Sequence, residues 1–162
     1  MSKLSASEIH AREGQMIVGD SNVASIPSPE RSKLKILLKL FITSQSKFAV
    51  HQAIEYFLSK FNITTIESVT LGFSNPNVVH SLEIWNELSK YKQKGIILNF
   101  GIADIELDDL KKFLPQLENP PVYFQARIGD CCAFSEDLHR FLESSKIELY
   151  TNDDPECKLY LN

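Results

Sequence analysis

The chain has 162 residues, of which 43% are hydrophobic and 23% are charged, a composition typical of a soluble globular domain. Its 17 basic and 21 acidic residues give a net charge of -4, so there is no positive field to attract a nucleic acid. No apolar run approaches the roughly 20 residues of a membrane helix, and the N-terminus lacks the apolar stretch of a secretory signal. Three cysteines and four scattered histidines show no spacing typical of disulfides or metal ligands. Composition therefore predicts a cytoplasmic domain with no cofactor metal, nucleic-acid partner or membrane partner.

The first 30 residues differ from the rest of the chain in their pattern of apolar residues. Residues 1–30 are poor in periodic apolar positions and end in SNVASIPSPE, where Pro27 and Pro29 indicate a linker. We therefore predict a flexible N-terminal segment at 1–30 and a folded domain at 31–162.

Strand-like and helix-like segments alternate through the folded domain. Short apolar runs predict five strands, at 34–42, 68–73, 96–100, 122–127 and 147–151. In the first strand, Ile36, Leu38 and Leu40 fall on one face and Leu37 and Lys39 on the other. Alternation of strands with helices favours a parallel sheet of the α/β class.

Four helices are predicted between these strands from apolar residues at helical spacing. The first carries Val50 and Ile54, and the second carries Trp85 in a core-facing stripe. The boundaries are predicted from capping and breaking residues, namely Asn77, Gly95, Asp104, Pro115 and Ser135.

One motif joins the second helix to the third strand. Trp85, Leu88, Gly95, Ile97 and Gly101 give the spacing W-x2-L-x6-G-x-I-x3-G, which resembles a helix-to-strand junction of the aldo-keto reductase barrel. The resemblance implies an aldo-keto reductase-like (β/α) barrel. A closed barrel takes about 250 residues, so we expect a partial or truncated barrel of about five parallel strands and four helices. Its exposed strand edges would have to be covered or paired with another chain.

The resemblance also locates the positions at which reductase chemistry would occur. Lys39 matches the lysine that lowers the pKa of the catalytic tyrosine, whereas Gly72 falls at the catalytic histidine. Ala103 and Asp104 replace the Ser-Asn pair that binds nicotinamide, and Gln125 matches a glutamine that contacts the same amide. No counterpart of the catalytic Asp and Tyr is recognisable in residues 1–30. For both residues we favour a structural role over a retained one, Lys39 as a lysine reaching solvent from a strand end and Gln125 as a hydrogen-bonding amide.

A narrower resemblance follows from these departures. The segments KLFI at 39–42, ESV at 67–69, CC-x4-DL-x2-F at 131–141 and TNDDP at 151–155 are similar to the regulatory (modifier) subunit of glutamate-cysteine ligase, a non-catalytic member of the same superfamily. The resemblance implies binding to the glutamate-cysteine ligase catalytic subunit as a heterodimer. It also implies more effective use of glutamate and relief of feedback inhibition by glutathione.

The candidate site residues lie near the predicted C-terminal ends of the last two strands. Cys131 and Cys132 are either a redox contact to the partner or, as we favour, small buried side chains. Asn152, Asp153 and Asp154 could equally meet a basic patch on the partner or cap a helix.

Three functions are compatible with these residues. The chain is a regulatory subunit of glutamate-cysteine ligase, an NADPH-dependent oxidoreductase, or a truncated scaffold without activity. We favour the regulatory subunit, and hence no enzyme activity, because of the CC-x4-DL block and because Gly72 offers no imidazole. The sequence does not separate this function from the truncated scaffold.

Overall fold

A parallel β-sheet with helices between successive strands organises the chain. The computed structural model describes residues 9–12, 15–18, 31–42, 46–73, 78–127 and 134–152. Within these ranges the strands are β1 (Ile9–Arg12), β2 (Gln15–Val18), β3 (Leu37–Ile42), β4 (Ile66–Phe73), β5 (Ile97–Ala103), β6 (Tyr123–Arg127) and β7 (Glu148–Asn152). The helices are α1 (Lys47–Phe61), α2 (Val78–Gln93), α3 (Leu107–Phe113), a 3-10 turn at Leu114–Gln116 and α4 (Glu136–Ser144).

The sheet follows chain order, β3-β4-β5-β6-β7, with every neighbouring pair parallel. Parallel strands joined by right-handed crossovers place all the connecting helices on one face. The prediction of five parallel strands and four helices in an α/β fold is therefore confirmed for the described part of the chain.

The helix-facing side of the sheet forms the core. Leu38, Val69, Phe100 and Phe124 alternate inwards along their strands and are almost fully buried. The predicted core position of Trp85 is confirmed, because its side chain has no exposed surface.

Local residues set most of the helix ends. Ser46 and Ser135 cap α1 and α4 by accepting hydrogen bonds from the backbone N–H groups of Ala49 and Leu138. Gly95 follows α2 with a φ of 70°, a left-handed conformation that glycine adopts without strain and that ends the helix as predicted. The predicted cap Asn77 lies outside the described residues.

One predicted helix cap is wrong. Asp104 was expected to cap α3, but the cap residue is Glu106, and α3 begins at Leu107. Asp104 instead adopts a left-handed φ of 55° directly after β5. The helix ends at Phe113, and Pro115 lies in the 3-10 turn that follows, consistent with the predicted early end.

A small antiparallel hairpin, β1-β2, forms a separate sheet near β3 and α1. It falls within residues 1–30. The division into a segment 1–30 and a domain 31–162 stays a prediction.

Tyr91 connects α1 and α2. Its hydroxyl contacts Nδ1 of His51 and donates to Oε1 of Glu55 at 3.0 Å. Burial raises the pKa of Tyr91, and the Glu55 carboxylate raises it further, so the phenol stays protonated as a donor between the two helices.

An ion pair joins the N-terminal ends of β3 and β4. Nη2 of Arg31 donates to both carboxylate oxygens of Glu67, at 2.9 and 3.1 Å, and to the carbonyl oxygen of Thr65 at 2.7 Å. The backbone N–H of Ile36 donates to Oε2 of Glu67 at 2.7 Å. Burial alone would raise the pKa of Glu67, but these hydrogen bonds and the Arg31 charge outweigh it and lower the pKa.

We expect Glu67→Gln to lower the free energy of unfolding at pH 7 by about 1–3 kcal/mol, because it leaves Arg31 without its carboxylate. The folded pKa of Glu67 is below its ordinary value of 4.5. Its stabilisation is therefore complete above that ordinary value and is lost as the pH falls through the folded pKa. Urea unfolding of both proteins between pH 3 and 7 measures this difference. Glu118→Gln, at an exposed position, is the control. A gap between wild type and Glu67→Gln that is constant with pH would contradict the assignment.

Candidate functional site

The C-terminal edge of the sheet brings together the residues at which reductase chemistry was considered. Because parallel strands end at the same edge, Lys39 of β3, Gly72 of β4, Asp104 after β5 and Gln125 of β6 lie in one region. The register pairs Phe41 with Gly72, and Ala103 with both Gly72 and Gln125.

Lys39 and Asp104 form an ion pair across this edge. Nζ of Lys39 lies 3.4 Å from Oδ2 of Asp104, and the two side chains are 18% and 37% exposed. Nζ also lies 4.9 Å from the ring centroid of Phe41, within the range of a cation-π contact. Lys39 is therefore held by neighbours within the chain, unlike the solvent-reaching lysine considered from the sequence.

Gly72 is covered by an aromatic ring. A Cβ atom built at residue 72 would lie 3.3 Å from Cδ1 of Phe41 and 3.8 Å from Cε of Lys39. A larger side chain at this position therefore requires the Phe41 ring to move. The space beside Gly72, where the resemblance implies a catalytic histidine, contains Phe41 instead.

A second cluster of side chains lies on the side of the sheet that carries Lys39 and Gly72. It was not predicted from the sequence. The hydroxyl of Tyr123 hydrogen bonds with Oγ of Ser68 at 2.7 Å and Oγ1 of Thr70 at 2.5 Å. Tyr123 is on β6 and its partners are on β4, so its ring lies across β5 at Gly101. The ring also makes an edge contact with Tyr150 at 5.3 Å between centroids.

Tyr150 extends this cluster to the last strand. Its hydroxyl donates to Oε2 of Glu148 at 2.6 Å, and this hydrogen bond, followed by the carboxylate charge, raises the pKa of Tyr150. Half of the Tyr150 side chain is exposed. Two hydrogen-bonded groups, Tyr123 with Ser68 and Thr70, and Tyr150 with Glu148, are thus joined by the edge contact between the two tyrosine rings.

The residues proposed for partner contact are mostly outside the described ranges. Four of the five lie there: Cys131, Cys132, Asp153 and Asp154. Asn152 is the last residue of β7, where its backbone pairs with that of Arg127. The proposed roles of all five residues therefore remain predictions.

Two general findings concern metals and membranes. In the described ranges, no group of three His, Cys, Asp or Glu side chains is placed to hold a metal ion. Over the same ranges, no helix has the length and hydropathy needed to cross a bilayer.

Residues 14–152 match the sequence profile of the aldo/keto reductase family. The chain belongs to this family. The match includes the hairpin strand β2 as well as the parallel sheet, and it confirms the broader resemblance predicted from the sequence. Among curated protein sequences, none matches the chain.

Solved aldo-keto reductases share the fold of the chain. An aldo/keto reductase from Brucella melitensis superposes with a TM-score of 0.66 at 19% identity, over 80% of this chain and 48% of its own. A Bombyx mori aldo-keto reductase in complex with NADP superposes with a TM-score of 0.63 at 18% identity, over 76% of this chain and 42% of its own. The aldose reductase of Schistosoma japonicum superposes with a TM-score of 0.60 at 15% identity, over 74% of this chain and 45% of its own.

The chain therefore spans less than half the length of these reductases, and at such identities the likeness concerns the fold. This agrees with the predicted partial (β/α) barrel. The narrower resemblance to the glutamate-cysteine ligase regulatory subunit finds no support in these comparisons.

Proposed function

We propose that this chain is a non-catalytic member of the aldo-keto reductase family that regulates glutamate-cysteine ligase. The observation that carries the non-catalytic part is the Phe41 ring over Gly72. A reductase needs a hydrogen-bond donor beside the reacting carbonyl, and glycine has no side chain to donate. Phe41 also fills the adjoining space with an apolar ring.

The nearby residues fit a nicotinamide poorly. Ala103 is fully buried and has only a methyl group where the resemblance implies a hydrogen-bonding serine. Asp104 is an acid rather than the implied asparagine, and its carboxylate is paired with Lys39. We therefore derive no reaction step through NADPH.

The choice of partner rests on the sequence alone. The segments CC-x4-DL-x2-F and TNDDP resemble the regulatory subunit of glutamate-cysteine ligase. A regulatory subunit acts by binding one conformation of its enzyme more tightly than another, with a coupling free energy of about 1–3 kcal/mol. In this role the chain would increase the synthesis of glutathione without a catalytic residue of its own.

An NADPH-dependent oxidoreductase is the second candidate, and the comparisons favour it over the first. The chain belongs to a reductase family, and one relative of the same fold is solved with NADP. Bound NADPH would supply a hydride to a carbonyl substrate. In this function Lys39, within β3, would be the residue retained from the family's machinery.

We expect the chain to lower the KM for glutamate of a glutamate-cysteine ligase catalytic subunit and to weaken its inhibition by glutathione. A coupling of about 1–3 kcal/mol corresponds to roughly 5- to 150-fold in affinity. Initial rates with and without the 162-residue chain, at saturating chain concentration, test this expectation. Identical curves would contradict the regulatory role and leave an inactive scaffold or an oxidoreductase.

Measurements with NADPH separate the inactive scaffold from the oxidoreductase. We expect no saturable change in NADPH fluorescence and no aldehyde turnover. Turnover that is lost in Lys39→Met but kept in Lys94→Met, a control at an exposed position after α2, would establish the oxidoreductase. No turnover and no effect on the ligase would establish the scaffold.

A further inference from the structure

The edge of the sheet opposite the candidate site carries a surplus of positive charge. Because the five strands are parallel, they begin at one edge, and the helices that precede them end there. We call the part of this edge formed by residues 31–36, 58–67 and 87–98 the basic edge, where β3, β4 and β5 begin. These ranges contain seven basic residues and two acidic residues.

Both acidic residues of the basic edge are already paired. Arg31 pairs with Glu67 at 2.9 Å, and Lys90 pairs with Glu87 at 2.6 Å. In the part of the chain that the structure describes, the other five basic residues form no ion pair: Lys33, Lys35, Lys60, Lys92 and Lys94. Five positive charges are therefore available to an anion outside the chain.

These lysines are accessible. Lys33, Lys35 and Lys94 are exposed, with the hairpin β1-β2 in place against β3 and α1. Lys60 and Lys92 lie in the last turns of α1 and α2, where the helix dipole favours a cation without neutralising it. The exposed acids that begin the remaining strands, Glu118 and Glu148, lie beyond β5 on the side away from β3.

The total charge of -4 does not describe the basic edge. The exposed acids Asp104, Glu106 and Asp108 follow β5, at the opposite edge of the sheet. β5 has seven residues, which span about 23 Å. The Debye length at physiological ionic strength is about 8 Å, so a surface that contacts the basic edge is screened from these acids.

The residue types of the basic edge favour a lipid surface over a protein or a nucleic acid. Its unpaired cations are all lysines, because Arg31 is committed to Glu67, and it exposes no aromatic ring. Protein interfaces are depleted in lysine and enriched in arginine and aromatic residues, and nucleic-acid sites use arginine and stacking rings. Lysines near a membrane each add affinity for anionic headgroups. Leu98 and Val122, 46% and 40% exposed where β5 and β6 begin, offer apolar contact to such a surface.

We propose that the basic edge binds the surface of a membrane that contains anionic phospholipids. The chain lies on the headgroups with the beginnings of β3, β4 and β5 towards the lipid and the candidate site towards the solvent. Because the lysines act through their charge, this binding is reversible and weakens as the salt concentration rises. It depends neither on regulation of the ligase nor on reductase activity.

Cosedimentation of the 162-residue chain with lipid vesicles tests the proposal. We expect binding to phosphatidylcholine vesicles that contain about 30% phosphatidylserine, and much weaker binding to pure phosphatidylcholine. Raising the salt concentration from about 0.1 M to about 1 M should release the chain, because the Debye length falls from about 10 Å to about 3 Å. Lys33→Gln/Lys35→Gln and Lys35→Gln/Lys94→Gln should each weaken binding about 25-fold, about fivefold for each lysine.

The control Lys47→Gln/Lys111→Gln removes the same charge from exposed positions at the start of α1 and in α3, away from the basic edge. Its binding should equal that of the wild type, and circular dichroism melting confirms that each variant is folded. An equal loss in this control overturns the proposal, as does equal binding to both kinds of vesicle. A chain that binds duplex DNA or a polyglutamate peptide but no anionic vesicle also overturns it.

Discussion

Replacing Trp85 with alanine is expected to lower the free energy of unfolding by about 3–5 kcal/mol. The indole is fully buried between β5 and α3, with ring centroids 5.4 Å from Phe100 and 5.7 Å from Phe113. Its Nε1 donates to the carbonyl oxygen of Asn119 at 2.8 Å. Alanine would leave a cavity among these rings and remove the hydrogen bond to the loop before β6. Natural domains are stabilised by about 5–15 kcal/mol, so this single change removes a large share.

Two further variants make the Trp85 prediction specific. Trp85→Phe keeps a ring in the core and loses the N–H group, so we expect a smaller cost of about 1–3 kcal/mol. Phe48→Ala removes an aromatic ring that is 63% exposed and should change stability by less than about 0.5 kcal/mol. Denaturant unfolding at 25 °C compares the three. Equal losses for Trp85→Ala and Phe48→Ala would mean that the indole does not hold the core.

The strands and helices could be predicted because their signals are local. Ile36, Leu38 and Leu40 were predicted to share one face of the first strand, and the structure buries all three. Strand ends depend on pairing with distant neighbours instead. The predicted third strand stopped at 100, whereas β5 continues to Ala103 because that residue pairs with Gly72 and Gln125.

The candidate site was harder to predict for the same reason. Asp104 has the residue type of a helix cap, but the structure pairs it with Lys39, 65 positions earlier in the chain. Tyr123 meets Ser68 and Thr70 only because β6 lies two strands away from β4 in the sheet. A lone glycine inside a strand was the available signal, because it often marks the close approach of another group. Gly101 entered the sequence analysis only as part of a spacing motif.

Gly101→Ala is expected to destabilise the chain by about 1–3 kcal/mol, although alanine normally suits a strand at least as well as glycine. A Cβ atom at residue 101 would lie 2.2 Å from Cε2 and 2.3 Å from Cζ of Tyr123, closer than atoms can approach. The ring cannot simply withdraw, because its hydroxyl is hydrogen bonded to Ser68 and Thr70.

The contact between residue 101 and the Tyr123 ring predicts that substitutions at these two positions have coupled effects on stability. Removing the ring with Tyr123→Ala should make Gly101→Ala nearly neutral, since the added methyl group then meets no ring. A double-mutant cycle from urea unfolding of the four proteins measures this coupling, which we expect to be at least about 1 kcal/mol. Gly95→Ala is the contrasting control: no atom lies within 4 Å of its Cβ position, so its cost comes from the φ of 70° and should not depend on Tyr123. Additive losses for Gly101→Ala and Tyr123→Ala would show that the ring does not lie over Gly101 in solution.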